Sequence, residues 1–232
     1  MKIQKQLKWF LPLLLLTIFA PWSANIDQWV SCQFFSLENL SFSNAWYHQL
    51  IFNWAVVPAL ATGITCGLLF ILSFKFKKFF NSRFSFLFLS LSMAIGAGLI
   101  THLVFKEFCF RPRPVQTTLF GGVQAFRPFY MLKFSFPNFC KSFPSGHATM
   151  GFYFINLIIL GYRLNSRILK QVGAYATVIM SCILCHSRIA KGGHFLSDVL
   201  MSLVVTWYAA LLVEKLVFDF LAKNKVLSYI KD

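Results

Sequence analysis

Three short polar segments interrupt an otherwise apolar chain, and their residue types fit the chemistry of phosphate esters. The first is Lys106, followed after six residues by Arg113 and a proline; the second is Pro-Ser-Gly-His at 144–147; the third, at 187–198, begins with Ser-Arg and holds a histidine and an aspartate. These segments combine cations for phosphate oxygens with two imidazoles and a carboxylate, which can share nucleophilic and proton-transfer roles. The sequence therefore predicts an enzyme that hydrolyses a phosphate ester.

The third segment predicts a nucleophile and its partner. His194 and Asp198 are four residues apart, so on a helix they would share one face, where the carboxylate can keep one ring nitrogen protonated and direct the other at phosphorus. We expect His194 to attack phosphorus and Asp198 to stabilise the positive ring that forms. His147 would protonate the leaving oxygen and then activate water. Gly192 and Gly193 would let the substrate approach the backbone closely.

Fixed positive charge would balance the pentacoordinate phosphorus of the transition state. The expected phosphate-binding residues are Lys106, Arg113, Ser145, Gly146 and Arg188. Arginine can hold two phosphate oxygens at once, and Ser145 with Gly146 would begin a helix after Pro144, where backbone N–H groups favour an anion. Such a cation-rich site should repel a divalent metal ion, so we expect catalysis without a metal or another cofactor.

The elements that position these residues are predicted to be membrane helices. The 232-residue chain is 57% hydrophobic and 12% charged, which is too apolar for an ordinary soluble domain. Six uncharged runs each come near the roughly 20 residues that cross a bilayer. They are 9–25, 51–74, 84–105, 145–162, 171–187 and 199–213, the last with an apolar extension beyond Glu214. The sequence therefore predicts an all-α fold, an integral membrane bundle of six transmembrane helices.

The bundle is expected to be one domain over 1–232, with a motif-bearing core at 84–220 and the first two helices with their outer loop at 7–75. The first helix has a second interpretation, because its basic start and Leu-rich centre are also typical of a secretory signal. Trp22 stands where a cleavage site ending at Ala24 needs a small residue. This favours a retained helix.

The distribution of Lys and Arg predicts the side of the membrane on which the site lies. No Lys or Arg occurs between Lys8 and Lys75, so the loop around Asp27 and Glu38 is expected outside and the loop from Lys75 to Arg83 in the cytoplasm. Alternation then places both termini in the cytoplasm and the polar segments at the outer face.

That outer face carries basic residues that violate the orientation rule, which is easier to understand if they bind anions. They are Lys106, Arg111, Arg113, Arg127, Lys133, Lys141, Arg188 and Lys191. The net charge of +15 then reflects topology and a phosphate site, and nucleic acid is not an expected partner.

The cysteines are expected to contribute little to the chemistry. Cys109 and Cys140 face the oxidising side in this topology, and a disulfide between them would close the long outer loop. Cys182 and Cys185 form a C-x-x-C inside an apolar run with no second pair at ligand spacing. We interpret them as packing residues and not as a zinc site.

Together the three segments resemble the signature of the type-2 phosphatidic acid phosphatase superfamily. That signature is Lys, six residues, Arg-Pro; then Pro-Ser-Gly-His; then Ser-Arg, five residues, His, three residues, Asp. Every position is present, in order and spacing, over 106–198. The resemblance covers roughly the C-terminal two thirds of the chain. It implies a six-helix membrane bundle with the site at the outer interface and a phosphohistidine intermediate on His194.

Further residues resemble the lipid A phosphatase branch: Arg-Pro-Arg-Pro at 111–114, Phe-Gly-Gly at 120–122, Cys140, and Gly-Gly-His-Phe at 192–195. The resemblance implies removal of the 1- or 4′-phosphate of lipid A, with 4′ slightly favoured, at the periplasmic face of a bacterial inner membrane. The basic, Phe-rich segment 107–143 would suit such a large anionic headgroup at the lipid surface. The expected partners are therefore the bilayer and a phosphorylated membrane lipid.

The residues are also compatible with other functions. Phosphatidylglycerophosphate and polyprenyl pyrophosphate phosphatases are alternatives with the same chemistry. A transporter or lipid-binding scaffold is an alternative of another class, because charge inside a membrane also suits transport. Anion transport needs the cations but not a His-Asp pair with a second histidine, so the enzyme is favoured.

Overall fold

The computed structural model describes residues 2–131, 133–134 and 139–222, which are mostly helical. The α-helices are α1 (Lys2–Cys32), α2 (Trp46–Trp54), α3 (Val57–Leu72), α4 (Lys77–Phe80), α5 (Arg83–Ser92), α6 (Lys106–Phe108), α7 (Gly146–Phe152), α8 (Ile155–Arg163), α9 (Arg167–Ala190) and α10 (Leu196–Glu214). Two π-helical segments, Met93–Phe105 and Lys215–Ala222, continue α5 and α10. Single helical turns at Pro114–Gln116 and Thr118–Phe120 lie in the long loop between α6 and α7.

Four two-residue strands form two small antiparallel pairs. They are β1 (Phe35–Ser36) with β2 (Ser41–Phe42), and β3 (Cys109–Phe110) with β4 (Lys133–Phe134). The first pair follows α1 directly, and the second follows α6. Both pairs therefore belong to the connections between helices and not to the bundle itself.

Five helical stretches in the described part of the chain are long and apolar enough to cross a membrane. They are Trp9–Cys32, Trp46–Leu72, Arg83–Phe108, Arg167–Ala190 and Leu196–Leu221. The expectation of an all-α membrane bundle is confirmed, and these five stretches overlap five of the six predicted runs. The count of six is not confirmed, because the predicted run at 145–162 is divided into α7 and α8, each too short to cross a bilayer alone.

The interruption between α7 and α8 has a local cause. The Asn156 side-chain amide donates a hydrogen bond to the carbonyl oxygen of Tyr153 at 2.7 Å, while the Tyr153 hydroxyl donates to the carbonyl oxygen of Leu89 at 3.0 Å. Asparagine side chains that bind nearby backbone groups compete with regular helical bonding. The α7–α8 break is thus held both from within the chain and from the neighbouring α5.

Glycine allows α9 to approach α7 and α8 closely. A methyl group on Gly151 of α7 would lie 2.7 Å from the Cα atom of Ser181, and one on Gly173 of α9 would lie 2.7 Å from the backbone nitrogen of Ile158. Small residues at such crossings are typical of helix packing in membranes. This close packing carries the C-terminal end of α9 to the N-terminal end of α7, where two of the polar segments lie.

The side of helix α1 that packs against the rest of the protein carries a row of polar residues. Ser23, Asp27 and Ser31 follow one another at intervals of four residues, and all three are fully buried. The expectation that Asp27 lies in an outer loop is therefore wrong: it belongs to α1, whereas Glu38 lies in the turn between β1 and β2. In the most apolar stretch of α1 only 6% of the residues are buried within the protein. The rest of the helix surface therefore suits contact with lipid.

Candidate active site

The start of α10 positions the predicted nucleophile and its carboxylate. His194 lies just before Phe195, the residue that precedes the first turn of α10, and Asp198 is the third residue of the helix. The expected shared helix face is therefore wrong in detail, because only Asp198 is helical. Its carboxylate accepts a hydrogen bond from the Phe195 N–H at 2.8 Å, which satisfies a backbone donor that the helix leaves open.

Hydrogen bonding fixes the ring of His194. Its Nδ1 lies 2.6 Å from the carbonyl oxygen of Ser142 and 3.7 Å from the carboxylate of Asp198. Because a carbonyl oxygen only accepts, Nδ1 carries the hydrogen and Nε2 keeps its lone pair. The expected direct bond to Asp198 is thus replaced by a bond to the backbone of Ser142, and the carboxylate acts on the ring at longer range.

Ser142 also connects the two predicted catalytic groups. Its hydroxyl donates to the Asp198 carboxylate at 2.6 Å, while its carbonyl oxygen holds His194. Burial lowers the pKa of His194 to about 3, because a low-dielectric surrounding disfavours the charged ring. The ring is therefore neutral near pH 7, which is the protonation state that a nucleophile needs.

The glycines before His194 serve the protein's own packing. Gly192 has a φ of +62°, and a methyl group there would come 2.4 Å from the ring of Phe42; a methyl group on Gly193 would come 2.5 Å from Nη2 of Arg188. The expectation that these glycines leave room for the substrate is therefore wrong. The space is filled by Phe42 and Arg188, and the second contact places the Arg188 guanidinium against the residue that precedes the predicted nucleophile His194.

Arg188 has unused hydrogen-bonding capacity. Its side chain, 8% exposed, lies with its guanidinium carbon 4.9 Å from the ring centre of Phe52. Its buried Nε finds no hydrogen-bond partner among the described residues. Unpaired buried donors are rare in folded proteins because they are costly. An anion such as phosphate would satisfy this one.

Two more cations surround the same space. A methyl group on Gly146 would lie 3.3 Å from Nζ of Lys106, so this ammonium group lies against the first residue of α7. Arg113 is close enough to interact electrostatically with both Lys106 and Arg188. Three like charges this close repel one another, and a bound phosphate would relieve the repulsion.

His147, the second residue of α7, is oriented by a residue outside the three segments. Its Nε2 lies 3.2 Å from the backbone oxygen of Phe52 in α2, and its ring stacks on that of Phe52 with centroids 4.4 Å apart. The carbonyl oxygen requires a hydrogen on Nε2. Nδ1 is then the ring nitrogen that can give and take a proton.

Ser145 has a local structural role in addition to its predicted contact with phosphate. Its hydroxyl accepts from the Ala148 N–H at 3.3 Å, and its own N–H donates to the carbonyl oxygen of Asp198 at 3.3 Å. These bonds cap α7 and connect it to α10. At this helix start the groups that remain for a phosphate are the backbone N–H groups of Gly146 and His147, so a direct contact from the Ser145 hydroxyl stays a prediction.

All eight sequence-predicted site residues belong to one connected cluster. The backbone of Ser145 bonds to Asp198, Gly146 lies against Lys106, and Arg188 lies against the residue before His194. The remaining two residues are His147 and Arg113. His147 contacts the ring of Phe52, which also contacts Arg188. Arg113 interacts electrostatically with Lys106 and Arg188.

Arg111 differs most from the sequence-based expectation. It belongs to the basic residues that we expected to bind anions at the outer face, but its side chain is fully buried and binds the carboxylates of Asp27 and Asp198. Lys141 is half-exposed and pairs with Glu107 at 2.6 Å, so its charge is partly offset. Neither contact could be read from the sequence, because the carboxylates are distant in the chain.

The predicted disulfide concerns a pair of buried cysteines. The backbone N–H of Arg111 donates to the carbonyl oxygen of Cys140 at 2.9 Å, and the backbone N–H of Ser142 donates to the carbonyl oxygen of Arg111 at 3.1 Å. The segments that hold Cys109 and Cys140 therefore lie side by side. Burial raises the pKa of the Cys140 thiol. The disulfide itself stays a prediction.

The chain is similar in sequence to three lipid A 4′-phosphatases. The lipid A 4′-phosphatase of Francisella tularensis subsp. novicida (strain U112) is 34% identical over 152 residues, 66% of this chain and 65% of the relative. The lipid A 4′-phosphatases of Rhizobium etli (strain ATCC 51251 / DSM 11541 / JCM 21823 / NBRC 15573 / CFN 42) and Rhizobium leguminosarum are 36% and 35% identical, over 52% and 53% of this chain. The chain spans just under two thirds of the first relative and about half of the other two. No solved structure matches.

The family comparison agrees with the predicted signature. The model of the PAP2 superfamily matches residues 85–221, which is more than half of the chain and includes all eight predicted site residues. Asp27 and Phe52, which contact the site from α1 and α2, lie before the matched region. The resemblance seen in the three polar segments is confirmed, and the chain belongs to the PAP2 superfamily.

Proposed function

We propose that this protein is a membrane phosphatase that removes one phosphate from lipid A, with the 4′-phosphate as its target. The observation that carries the proposal is the pairing of His194, whose Nε2 keeps a lone pair, with the buried guanidinium of Arg188, whose Nε has no partner within the described residues. A nucleophile beside an unsatisfied cation suits attack on a phosphate ester. The three relatives, each a lipid A 4′-phosphatase, support lipid A as the substrate.

The first chemical step forms the phosphohistidine. The lone pair on Nε2 of His194 makes a bond to phosphorus while the bond between phosphorus and the lipid oxygen breaks. His147, protonated at both nitrogens, gives its Nδ1 proton to that oxygen, so the lipid departs as a neutral alcohol. The ring of His194 becomes positive, and Asp198, 3.7 Å from Nδ1, stabilises that charge without taking the proton.

The second step restores the enzyme. A water molecule transfers a proton to Nδ1 of His147 as its oxygen bonds to phosphorus, and the bond between phosphorus and Nε2 of His194 breaks. Inorganic phosphate leaves, and His194 returns to its neutral form. Lys106, Arg113 and Arg188 hold the phosphate oxygens through both steps, because each transition state carries more charge on those oxygens than the ground state.

Lipid A turnover tests the substrate directly. We expect the purified protein to remove one phosphate from diphosphorylated lipid A, to continue in the presence of EDTA, and to process a short soluble phosphate ester poorly, because remote contacts position the reacting phosphorus. Mass spectrometry with fragmentation would show which sugar keeps its phosphate. Protein carrying His194→Ala controls for contaminating phosphatases.

Two results would contradict this assignment. Faster hydrolysis of phosphatidylglycerophosphate or a polyprenyl pyrophosphate than of lipid A would refute the proposed substrate. It would not contradict the proposed roles of His194 and His147 in hydrolysis. Anion flux through liposomes with no phosphate release would refute the enzyme and support a transporter.

The proposed location is a bacterial inner membrane, with the site on the periplasmic face and both termini in the cytoplasm. We expect an impermeant thiol reagent to label Val123→Cys in intact cells and Ser82→Cys only after the membrane is opened. Val123 is 86% exposed in the outer loop, and Ser82 is exposed beside α4 and α5. The background should lack the exposed Cys32 and Cys182. Labelling of both positions from one side would refute this topology.

A further inference from the structure

A buried ion network lies behind the candidate nucleophile and is centred on Arg111. One terminal nitrogen of its guanidinium binds the carboxylate of Asp198 and, at 2.8 Å, the hydroxyl of Ser197; the other lies 2.8 Å from the carboxylate of Asp27. Its Nε donates to the carbonyl oxygen of Arg127 at 3.0 Å. Every nitrogen of this guanidinium therefore has a partner, whereas the Nε of Arg188 has none among the described residues.

Asp27 connects this network to the first turn of α10. One of its carboxylate oxygens accepts from the Ser197 N–H at 2.8 Å, and the other accepts from the Ser197 hydroxyl as well as from Arg111. Ser197 directly precedes Asp198 in the helix. A carboxylate of α1 thus holds the backbone and the side chain next to the residue that faces His194.

Stability alone is a weak explanation for such a network. Asp27, Arg111, Ser197 and Asp198 are all 0% exposed, and taking charges out of water carries a large desolvation penalty. Apolar replacements of buried ion groups are often as stable or more stable. The position of the network, in direct contact with Asp198, points to a role in the chemistry instead.

We propose that Asp27 and Arg111 are positioning residues for Asp198 and, through it, for His194. Arg111 fixes the direction of the Asp198 carboxylate, and Asp27 fixes Arg111 and offsets its charge. Two carboxylates and one guanidinium leave the network with one net negative charge beside the ring of His194. This inference rests on the proposed function, because it concerns the charge that His194 gains when Nε2 bonds to phosphorus.

The charge balance explains why two carboxylates are needed. With Asp27 present, Arg111 is shared, and Asp198 keeps enough negative charge to stabilise the phosphorylated ring. If Asp27 were neutral, Arg111 would pair with Asp198 alone and would offset the negative charge of the Asp198 carboxylate. In this buried, low-dielectric site the loss of that charge would have a large effect on the positive ring. The transition state for formation of the phosphohistidine should then suffer more than substrate binding, because free His194 is neutral.

Asp27→Asn is the direct test, because asparagine keeps the shape and one acceptor but removes the charge. In the full-length purified protein we expect kcat to fall about tenfold to a hundredfold, by analogy with the loss of partners that orient the ligands of metal sites. KM should change far less. Rapid-quench measurement should show slower formation of the phosphoenzyme, and Asp27→Glu should recover part of the lost rate.

The matched control is Asp219→Asn, which removes a half-exposed carboxylate paired with Arg163 at 3.0 Å. This variant should keep the kcat of the unaltered protein. Thermal melting in detergent and binding of inorganic phosphate should be similar for both aspartate variants. A lower kcat of Asp27→Asn could then not be explained by misfolding or by weaker phosphate binding. If Asp27→Asn does not fold, Ser197→Ala removes one bridge without a charge change, and we expect its kcat to fall severalfold at constant KM.

Several results would contradict the positioning role of Asp27. A folded Asp27→Asn variant with unchanged kcat, or with a raised KM and unchanged kcat, would overturn the positioning role. So would a folded Ser197→Ala variant with unchanged kcat if it has to take the place of Asp27→Asn. An unaltered protein that releases no phosphate from any ester would overturn the proposed function and this inference together. An active unaltered protein with an equally active Asp27→Asn variant would overturn this inference alone.

Discussion

His194→Ala should remove essentially all phosphate release, by about 10⁴- to 10⁶-fold, the loss seen when a nucleophile is deleted from a concerted site. The physical reason is that the only lone pair aimed at phosphorus in the proposed mechanism belongs to Nε2 of this ring. No phosphoenzyme should form with radiolabelled substrate. The remaining cations should still bind inorganic phosphate, so binding and chemistry can be measured separately.

His186→Ala is the matched control for this experiment. His186 belongs to the same polar region but lies outside the signature, is exposed, and contacts the ring of Phe34 edge-on at 5.4 Å. We expect this variant to keep the activity of the unaltered protein. Substantial turnover by a folded His194→Ala protein, or trapping of phosphate on another residue, would rule out His194 as the nucleophile.

The sequence could predict which residues gather at the candidate site because those residues lie in three short segments of the chain. The three segments hold all eight residues that the structure gathers, and the second and third segments lie at the ends of α7, α9 and α10. Hydrophobic run lengths were sufficient to predict a membrane bundle, since crossing a bilayer fixes the length of a helix. The same lengths could not reveal the break after α7, which depends on bonds that Tyr153 and Asn156 make.

The supporting contacts could not be predicted, because they join residues that are far apart in sequence. Arg111 reaches Asp27 across 84 positions, and His147 reaches Phe52 across 95. Arg111 resembled an anion-binding residue because its neighbours are basic, and no local pattern shows that two carboxylates surround it. Phe52 is one of 29 phenylalanines, and its contribution is a backbone oxygen, which any residue could supply.

These contacts assign a role to the first two helices, which lie outside the region matched by the family model. Helix α1 supplies Asp27 next to Arg111 and Ser197, behind the proposed nucleophile His194, and α2 supplies the Phe52 carbonyl oxygen next to the proposed proton donor His147. The cations and both histidines come from the matched region. Substitution of Asp27 in α1 should therefore alter the rate through orientation, whereas substitution of Phe52 in α2 should also affect Arg188, which lies over its ring.

His147→Ala should give a loss of about 10²- to 10⁴-fold on lipid A, the usual contribution of a general acid and base. The loss should depend on the leaving group, which distinguishes this variant from His194→Ala. A sugar alkoxide needs a proton to depart, so formation of the phosphohistidine from lipid A should be slow. A nitrophenyl phosphate releases a stable phenolate without a proton, so this first step should be slowed much less.

The second step still needs His147 to activate water, whichever ester supplied the phosphate. With nitrophenyl phosphate at high enzyme concentration, His147→Ala should therefore release a burst of nitrophenol equal to the enzyme present, followed by slow turnover, and phosphoenzyme should accumulate. His147→Gln should behave in the same way while keeping a donor for the carbonyl oxygen of Phe52. Equal losses on the two esters, without a burst, would mean that His147 serves binding or structure and that another group moves the proton.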